Sequence, residues 1–170
     1  MTAAVEPQPH TSADERETLT GFLDHYRGTL AHRCAGLDAA QLAERAVPPS
    51  SLSLLGLVRH MGEVERGWFR GFAGERSTPR YFSGENPDGD FLDAVGDDDA
   101  VSEAMAYWQA EIAHAREVVA GADLAATYLH PRHQTTISLR WIIVHMIEEY
   151  ARHCGHADFL RERIDGVTGY

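Results

Sequence analysis

The longest helical pattern in the chain runs from Arg140 to Gly166, RWIIVHMIEEYARHCGHADFLRERIDG, and it limits the possible folds more than any other stretch. Trp141, Ile143, Val144, Ile147 and Tyr150 recur at helical spacing and predict a buried side. Ser138 suits the capping position before the first turn. Arg161 and Arg163 suit the negative end of the helix and Gly166 its exit. On this segment His145, Glu149 and His153 follow one another at intervals of four. Side chains four apart are neighbours on a helix surface, with Cβ atoms roughly 5–6 Å apart, so two of them can hold one metal ion. Each member of the row drifts by about 40° from the last, so an ion takes an adjacent pair rather than all three. His156, three residues after His153, is a competing partner, whereas Cys154 points about 100° away from His153. A third ligand has to come from elsewhere, and His60 is the candidate.

The rest of the chain supplies three more helices. Ser12 with Glu15 reads as a capping box. Leu19, Phe22, Leu23, Tyr26, Leu30 and Cys34 then continue a stripe, with His25 and His32 off it as surface residues. Gly36 ends this helix, and Asp38 to Ala46 adds one or two short turns. Ser51 or Ser53 caps a second helix from Leu54 to about Phe72, with Leu54, Leu57, Val58, Met61, Val64, Trp68 and Phe72 on one side. His60 sits beside that stripe, and Glu63 and Glu65 read as surface charges in preference to groups that orient His60. Gly56, Gly62, Gly67 and Gly71 each cost a helix about 1 kcal/mol relative to alanine, which predicts close approach of a neighbouring helix or a weak element.

Between Gly74 and about Asp97 periodicity is lost. Loops of this length in compact domains are uncommon and often functional, and Tyr81, Phe82 and Phe91 are expected to anchor this one on the fold. Asp97, Asp98 and Asp99 open a third long helix carrying Val101, Met105, Trp108, Ile112 and Ala115 and ending near Gly121. A connector with His130 and His133, neither preset as a ligand, leads to Ser138. No strand pattern is legible. The expectation is therefore an all-α protein, an antiparallel four-helix bundle with one long crossing loop, whose core can host a metal on facing helices. Residues 1–11 read as a flexible N-terminus and 12–170 as one domain.

A formal net charge of −11 argues against nucleic acid as partner, since phosphate recognition needs a clustered positive face. No apolar run approaches the roughly 20 residues that span a membrane, and the N-terminus has no charged-then-apolar leader pattern, so a cytoplasmic protein is expected. Cys34 and Cys154 form no CxxC pair and read as buried thiols. The apolar stripe on every helix leads to the expectation of a homodimer.

Two segments, LGLVRHMGEVERGWF and WIIVHMIEEYARHCGHADFLRERIDG, resemble the signature regions of the DinB-like (DNA-damage-inducible) superfamily. Within it the chain is most similar to the actinobacterial branch of uncharacterised, or mini-circle, proteins, and the likeness extends back to ERETLTGFLDHYR. The resemblance implies a four-helix bundle holding one divalent metal through a residue of the second helix and an i, i+4 pair of the last. It puts His60 at the second-helix ligand and His153 at the second member of the pair. Glu149 then takes the place of a more common histidine, as in the related mycothiol-dependent maleylpyruvate isomerases. His145 and His156 become neighbours of the site rather than ligands, and Cys154 and His156 depart from the arginine and glutamine common there.

The function this implies is metal-dependent transfer or isomerisation using a low-molecular-weight thiol, mycothiol or bacillithiol in type, on a small electrophile in detoxification. Zn²⁺ is the expected ion, with Ni²⁺ or Fe²⁺ as alternatives. A metal-activated thiol makes a protein nucleophile unnecessary, in keeping with a sequence that shows no Ser/His/Asp or catalytic cysteine arrangement. The alternatives are a metal-binding stress protein without turnover and an interaction module with a structural histidine cluster.

Overall fold

The computed structural model describes residues 8–131 and 134–168; His133 and most of the expected N-terminal segment lie outside the described residues. Helix α1 (Glu15–Cys34) starts later than the Ser12 capping box predicts: Asp14 is its cap and accepts from the Glu17 N–H, while Ser12 bonds to His10 instead. His25 and His32 are half-buried on it rather than fully exposed. The short α2 (Ala39–Ala43) opens on a capping box of Asp38 and Gln41. Helix α3 (Leu54–Glu65) begins at Ser53 and runs on through a π-helical turn (Arg66–Arg70). A four-residue α4 (Gly89–Leu92) interrupts the long loop, and α5 (Asp98–Gly121) starts from Asp97, whose carboxylate accepts from two backbone N–H groups. Strands β1 (Thr127–Leu129) and β2 (Thr136–Ser138) pair antiparallel, Tyr128 opposite Ile137. Ser138 then caps α6 (Leu139–Asp165), which ends at Gly166 in the left-handed conformation, φ 79°.

The hairpin departs from the all-helical expectation. Its strands are three residues each and bury only Ile137, so no alternation is long enough to read. Otherwise the protein is mostly helical. Helix α1 packs mainly on α6, and α3 mainly on α5, around Leu30, Leu57, Met61, Phe69, Trp108 and Met146. Each such burial stabilises the fold by about 1.5–3 kcal/mol. The buried side of α6 begins with Leu139, Ile142, Ile143, Met146 and Tyr150 and continues through His153, Cys154, Ala157 and Leu160, while Trp141 and Val144 face outward.

Two of the four glycines of α3 and its extension mark close approaches. A Cβ on Gly62 would sit 2.9 Å from the Tyr107 ring on α5, and one on Gly56 would sit 3.3 Å from the Phe91 Cα on α4. Gly67, in contrast, faces open space. The π turn inserts a residue into the helical count, and π turns are frequent at functional sites. Here Phe69 enters the core, while Trp68 is left half-buried and turned towards α6 and the hairpin, its ring centroid 4.9 Å from His145 and 5.2 Å from His130.

Glu63 and Glu65 are buried, not surface charges. Arg27 of α1 donates from Nε and Nη2 to the two Glu65 oxygens, 2.8 Å each. The Tyr150 hydroxyl donates to Glu65 at 2.8 Å, and Trp108 Nε1 donates to that hydroxyl at 2.7 Å. These side chains tie α1, α3, α5 and α6 together. Glu63 accepts from Arg66 Nε at 2.7 Å and from the Tyr81 N–H at 2.8 Å, clamping the long loop to α3. The aromatic anchors of that loop also pack: Tyr81 meets Tyr107 edge-on with centroids 5.4 Å apart, Arg59 lies 4.4 Å over Tyr81, and Phe82 and Phe91 are half-buried.

Candidate metal centre

His60 stands on α3, and Glu149 and His153 are one turn apart on α6. Each offers a ligand atom, and these atoms lie within 4.8 Å of one another. Among the described residues this is the group of three or more His, Cys, Asp or Glu side chains able to hold an ion. His153 Nε2 is 3.6 Å from Glu149 Oε2. Ligands at about 2.1 Å from a tetrahedral ion stand about 3.4 Å apart, so this pair needs almost no adjustment. The 3.6 Å spacing is also too long for a hydrogen bond, so these ligand atoms are not already satisfied by each other.

The protonation of the set suits a cation. His60 Nδ1 lies 2.8 Å from Asp90 Oδ2. An ionised carboxylate only accepts, so Nδ1 carries the proton and Nε2 keeps its lone pair. The His60 ring is stacked on Phe91, 4.7 Å between centroids. On the other helix, burial is the main cause that lowers the pKa of His153 to about 3, and its cationic neighbour Arg152 adds to the effect. Its imidazole is therefore neutral, the form a metal needs. Two neutral imidazoles and one carboxylate form a set that accepts Zn²⁺, Fe²⁺ or Ni²⁺ and leaves positions open.

His145 and His156 flank this group on opposite sides along α6. His145 Nε2 is 3.6 Å from Glu149 Oε1, but its ring is held between Trp141 (5.0 Å, nearly parallel) and Trp68. His156 Nδ1 is 3.3 Å from His153 Nδ1. Both cysteines are free and buried, and burial pushes each thiol up to about 12, so neither supplies a thiolate near neutral pH. Cys154 faces the Tyr26 carbonyl, away from the ligands.

A cavity of about 550 Å³ opens on the α3 side of the group, bounded by His60, Arg66, Phe82, Asp88 and Asp90. A cleft of about 910 Å³ opens on the α6 side, bounded by Trp68, Ile137, Trp141 and His145. Trp68 borders both.

The sequence model of the family described as Mycothiol-S-transferase matches residues 18–166. The chain belongs to the mycothiol-S-transferase family. This is a DinB-like family, in agreement with the resemblance of the two signature segments, and the match spans His60, Asp90, Glu149 and His153. No curated protein matches the chain. The crystal structure of a conserved protein from Enterococcus faecalis is similar in fold, with a TM-score of 0.69 at 12% identity, covering 92% of this chain and all of that one.

Sequence reasoning missed Asp90 and the ring cluster of Trp68, Trp141 and His130. Asp90 lies in the non-periodic loop, where the available sign was a carboxylate next to the aromatic anchor Phe91. The rings come together because the π turn and the hairpin bring three segments to one place.

Proposed function

We propose that this protein is a divalent-metal-dependent transferase that joins a low-molecular-weight thiol, mycothiol in type, to a small electrophile. We read its architecture as an antiparallel four-helix bundle in which His60, Glu149 and His153 hold the ion, Zn²⁺ foremost. The observation that carries the reading is the convergence of these three, within 4.8 Å and beside two cavities, in a chain of a thiol-transferase family. A divalent ion held by these three residues would supply Lewis-acid activation of a thiol near neutral pH. The residues do the rest. Asp90 keeps the His60 Nε2 lone pair free, and burial keeps His153 neutral. The thiol proton leaves to bulk water, and His145, open to the cleft and 3.6 Å from Glu149, faces the incoming electrophile. The thiol sulfur then bonds to the electrophilic carbon, and the leaving group departs with the electrons of its broken bond. Neither cysteine takes part. We further propose that the protein is cytoplasmic and a homodimer; no helix among the described residues is long and apolar enough to cross a membrane.

The test is metal analysis followed by turnover. Protein reconstituted with Zn²⁺ is expected to hold one ion per chain and to consume mycothiol with an aryl halide, and Glu149→Gln is expected to bind the ion about 100-fold more weakly and to lose turnover. A chain that binds no Zn²⁺, Ni²⁺ or Fe²⁺ overturns the reading. A chain that binds one ion and transfers no thiol is a metal-binding protein without this activity.

A further inference from the structure

The two openings beside the candidate metal centre differ in chemistry, and a thiol transfer has two substrates to keep apart. The cavity on the α3 side presents charge: Glu63, Arg66, Asp88 and Asp90 line it together with His60. The cleft on the α6 side is lined, among the described residues, by no arginine, aspartate or glutamate. It presents Trp68, Trp141, Ile137 and His145, with threonine and serine hydroxyls at its edge. Trp141 is 47% exposed and lies on His145 with only 13° between ring planes, so an aromatic surface stands open to water. Trp68 closes the inner side, 5.4 Å from Trp141 between centroids. Exposed aromatic surface of this kind is stabilised when another flat apolar group covers it, and offset or edge-on ring packing adds to the burial. The cleft reaches the ligands through His145, 3.6 Å from Glu149, whereas the other cavity reaches them through His60.

We propose that the tryptophan cleft is the site of the electrophile, and that it takes substrates whose reactive carbon is carried on a planar, uncharged aromatic group. The polar cavity under the long loop is then left to the thiol, and Trp68 separates the two. This assignment rests on the transferase reading for its roles, but not for the binding itself. Among the described residues the cleft lining is aromatic, aliphatic and hydroxyl-bearing apart from His145, a lining that suits an uncharged acceptor.

The experiment is a titration of 4-nitrobenzyl alcohol, a planar uncharged arene with no leaving group, followed by NMR without any thiol. Wild-type protein is compared with Trp141→Ala, whose exposed position spares the core, and with Phe82→Ala in the other cavity. Trp141→Ala is expected to weaken arene binding at least tenfold and Phe82→Ala less than twofold. In turnover, Trp141→Ala should raise KM for an aryl electrophile while KM for mycothiol stays within twofold. Arene binding that is insensitive to Trp141→Ala overturns the assignment, as does binding of methyl glucoside in the cleft with no binding of the arene. Trp141-dependent arene binding in a protein that transfers no thiol supports the cleft and counts against the transferase reading alone.

Discussion

Two groups of polar side chains sit on facing helices, one buried and one only partly so, and they are built in opposite ways. In the first, Arg27, Glu65, Tyr150 and Trp108 form hydrogen bonds of 2.7–2.8 Å to one another, and Arg27 donates to Asp24 at 2.8 Å as well. Burial alone would depress the Arg27 pKa, but the Glu65 carboxylate more than offsets this and holds it above the ordinary arginine value. Burial and the same carboxylate keep the Tyr150 hydroxyl protonated. In the second, His60, Glu149 and His153 converge without bonding to one another, and their free ligand atoms remain 3.6–4.8 Å apart. A buried polar group without a partner costs stability. The first, closed group is therefore structural, and the second, open group keeps ligand atoms that could hold an ion.

Breaking the closed group should have the largest effect. Arg27→Met leaves the fully buried Glu65 carboxylate with no cation, and loss of one member of such a pair costs about 3–5 kcal/mol. Urea unfolding should register that loss, while the folded fraction binds Zn²⁺ within about twofold of wild type. Replacing Glu65 by Leu in the same chain should recover much of the stability, because an apolar pair of similar volume removes the unpaired charge. A loss below about 1 kcal/mol would show that water reaches the pair.

The open group should respond the other way round. Glu149→Gln keeps the shape and removes the charge, so Zn²⁺ affinity should fall by about 100-fold, roughly 2.7 kcal/mol. The metal-free protein should unfold within about 0.5 kcal/mol of wild type, since Glu149 gives up no hydrogen bond. His156→Gln is the control and should leave the ion bound. Calorimetry on the three proteins tests this, and an ordering in which His156→Gln is the more damaging would reassign the ligands.

The same contrast explains what could be read from the sequence. Helix α6 was legible from Ser138 to Gly166 because its cap, stripe and exit are local signals, and the spacing of Glu149 and His153 came with it. The closed group was not legible. Glu65 lies one turn from Met61 on the core stripe, and nothing local shows that Arg27, 38 positions earlier, meets it. The burial of Trp141 and Val144 was misjudged for a related reason: the face of a helix that is covered depends on where its neighbours lie, and here Ile142 and Met146 carry the contact. Asp90 was hidden because a loop has no period from which to infer a direction.

Acid should separate the two groups by a smaller amount. His153 titrates near 6.5 in the unfolded chain and at about 3 in the fold, chiefly because burial disfavours its charged form. Between those values the unfolded chain binds the extra proton, so stability rises with pH across that window and is lost as pH falls through it. Going from pH 7 to pH 5 should cost the metal-free protein about 2 kcal/mol from this residue. His153→Phe should flatten that slope. The measurement is urea unfolding at each pH with chelator present, and an unchanged slope in His153→Phe would show that His153 is not the group responsible.

The smallest expected effect concerns Asp90, which joins the open group to the long loop. Its carboxylate accepts from His60 Nδ1 at 2.8 Å, fixing the tautomer that leaves Nε2 free, while Phe91 next to it holds the ring by stacking. Replacement by Leu removes the acceptor, and His60 can then carry its proton on either nitrogen. Outer partners of this kind are worth 10–100-fold in metal affinity. The lower end, about tenfold, is expected here because the Phe91 stack still fixes the plane of the ring. Asp90→Asn is the sharper test, since the amide can offer its oxygen to Nδ1–H or its nitrogen to the bare Nδ1, and the second choice puts the proton on the nitrogen that faces the ion. Affinity should fall in both variants, and the imidazole nitrogen resonances of metal-free Asp90→Asn should show Nε2 partly protonated. If the shifts report the wild-type tautomer and affinity is unchanged, Asp90 serves only to hold the loop, and the openness of the site depends on the helices alone.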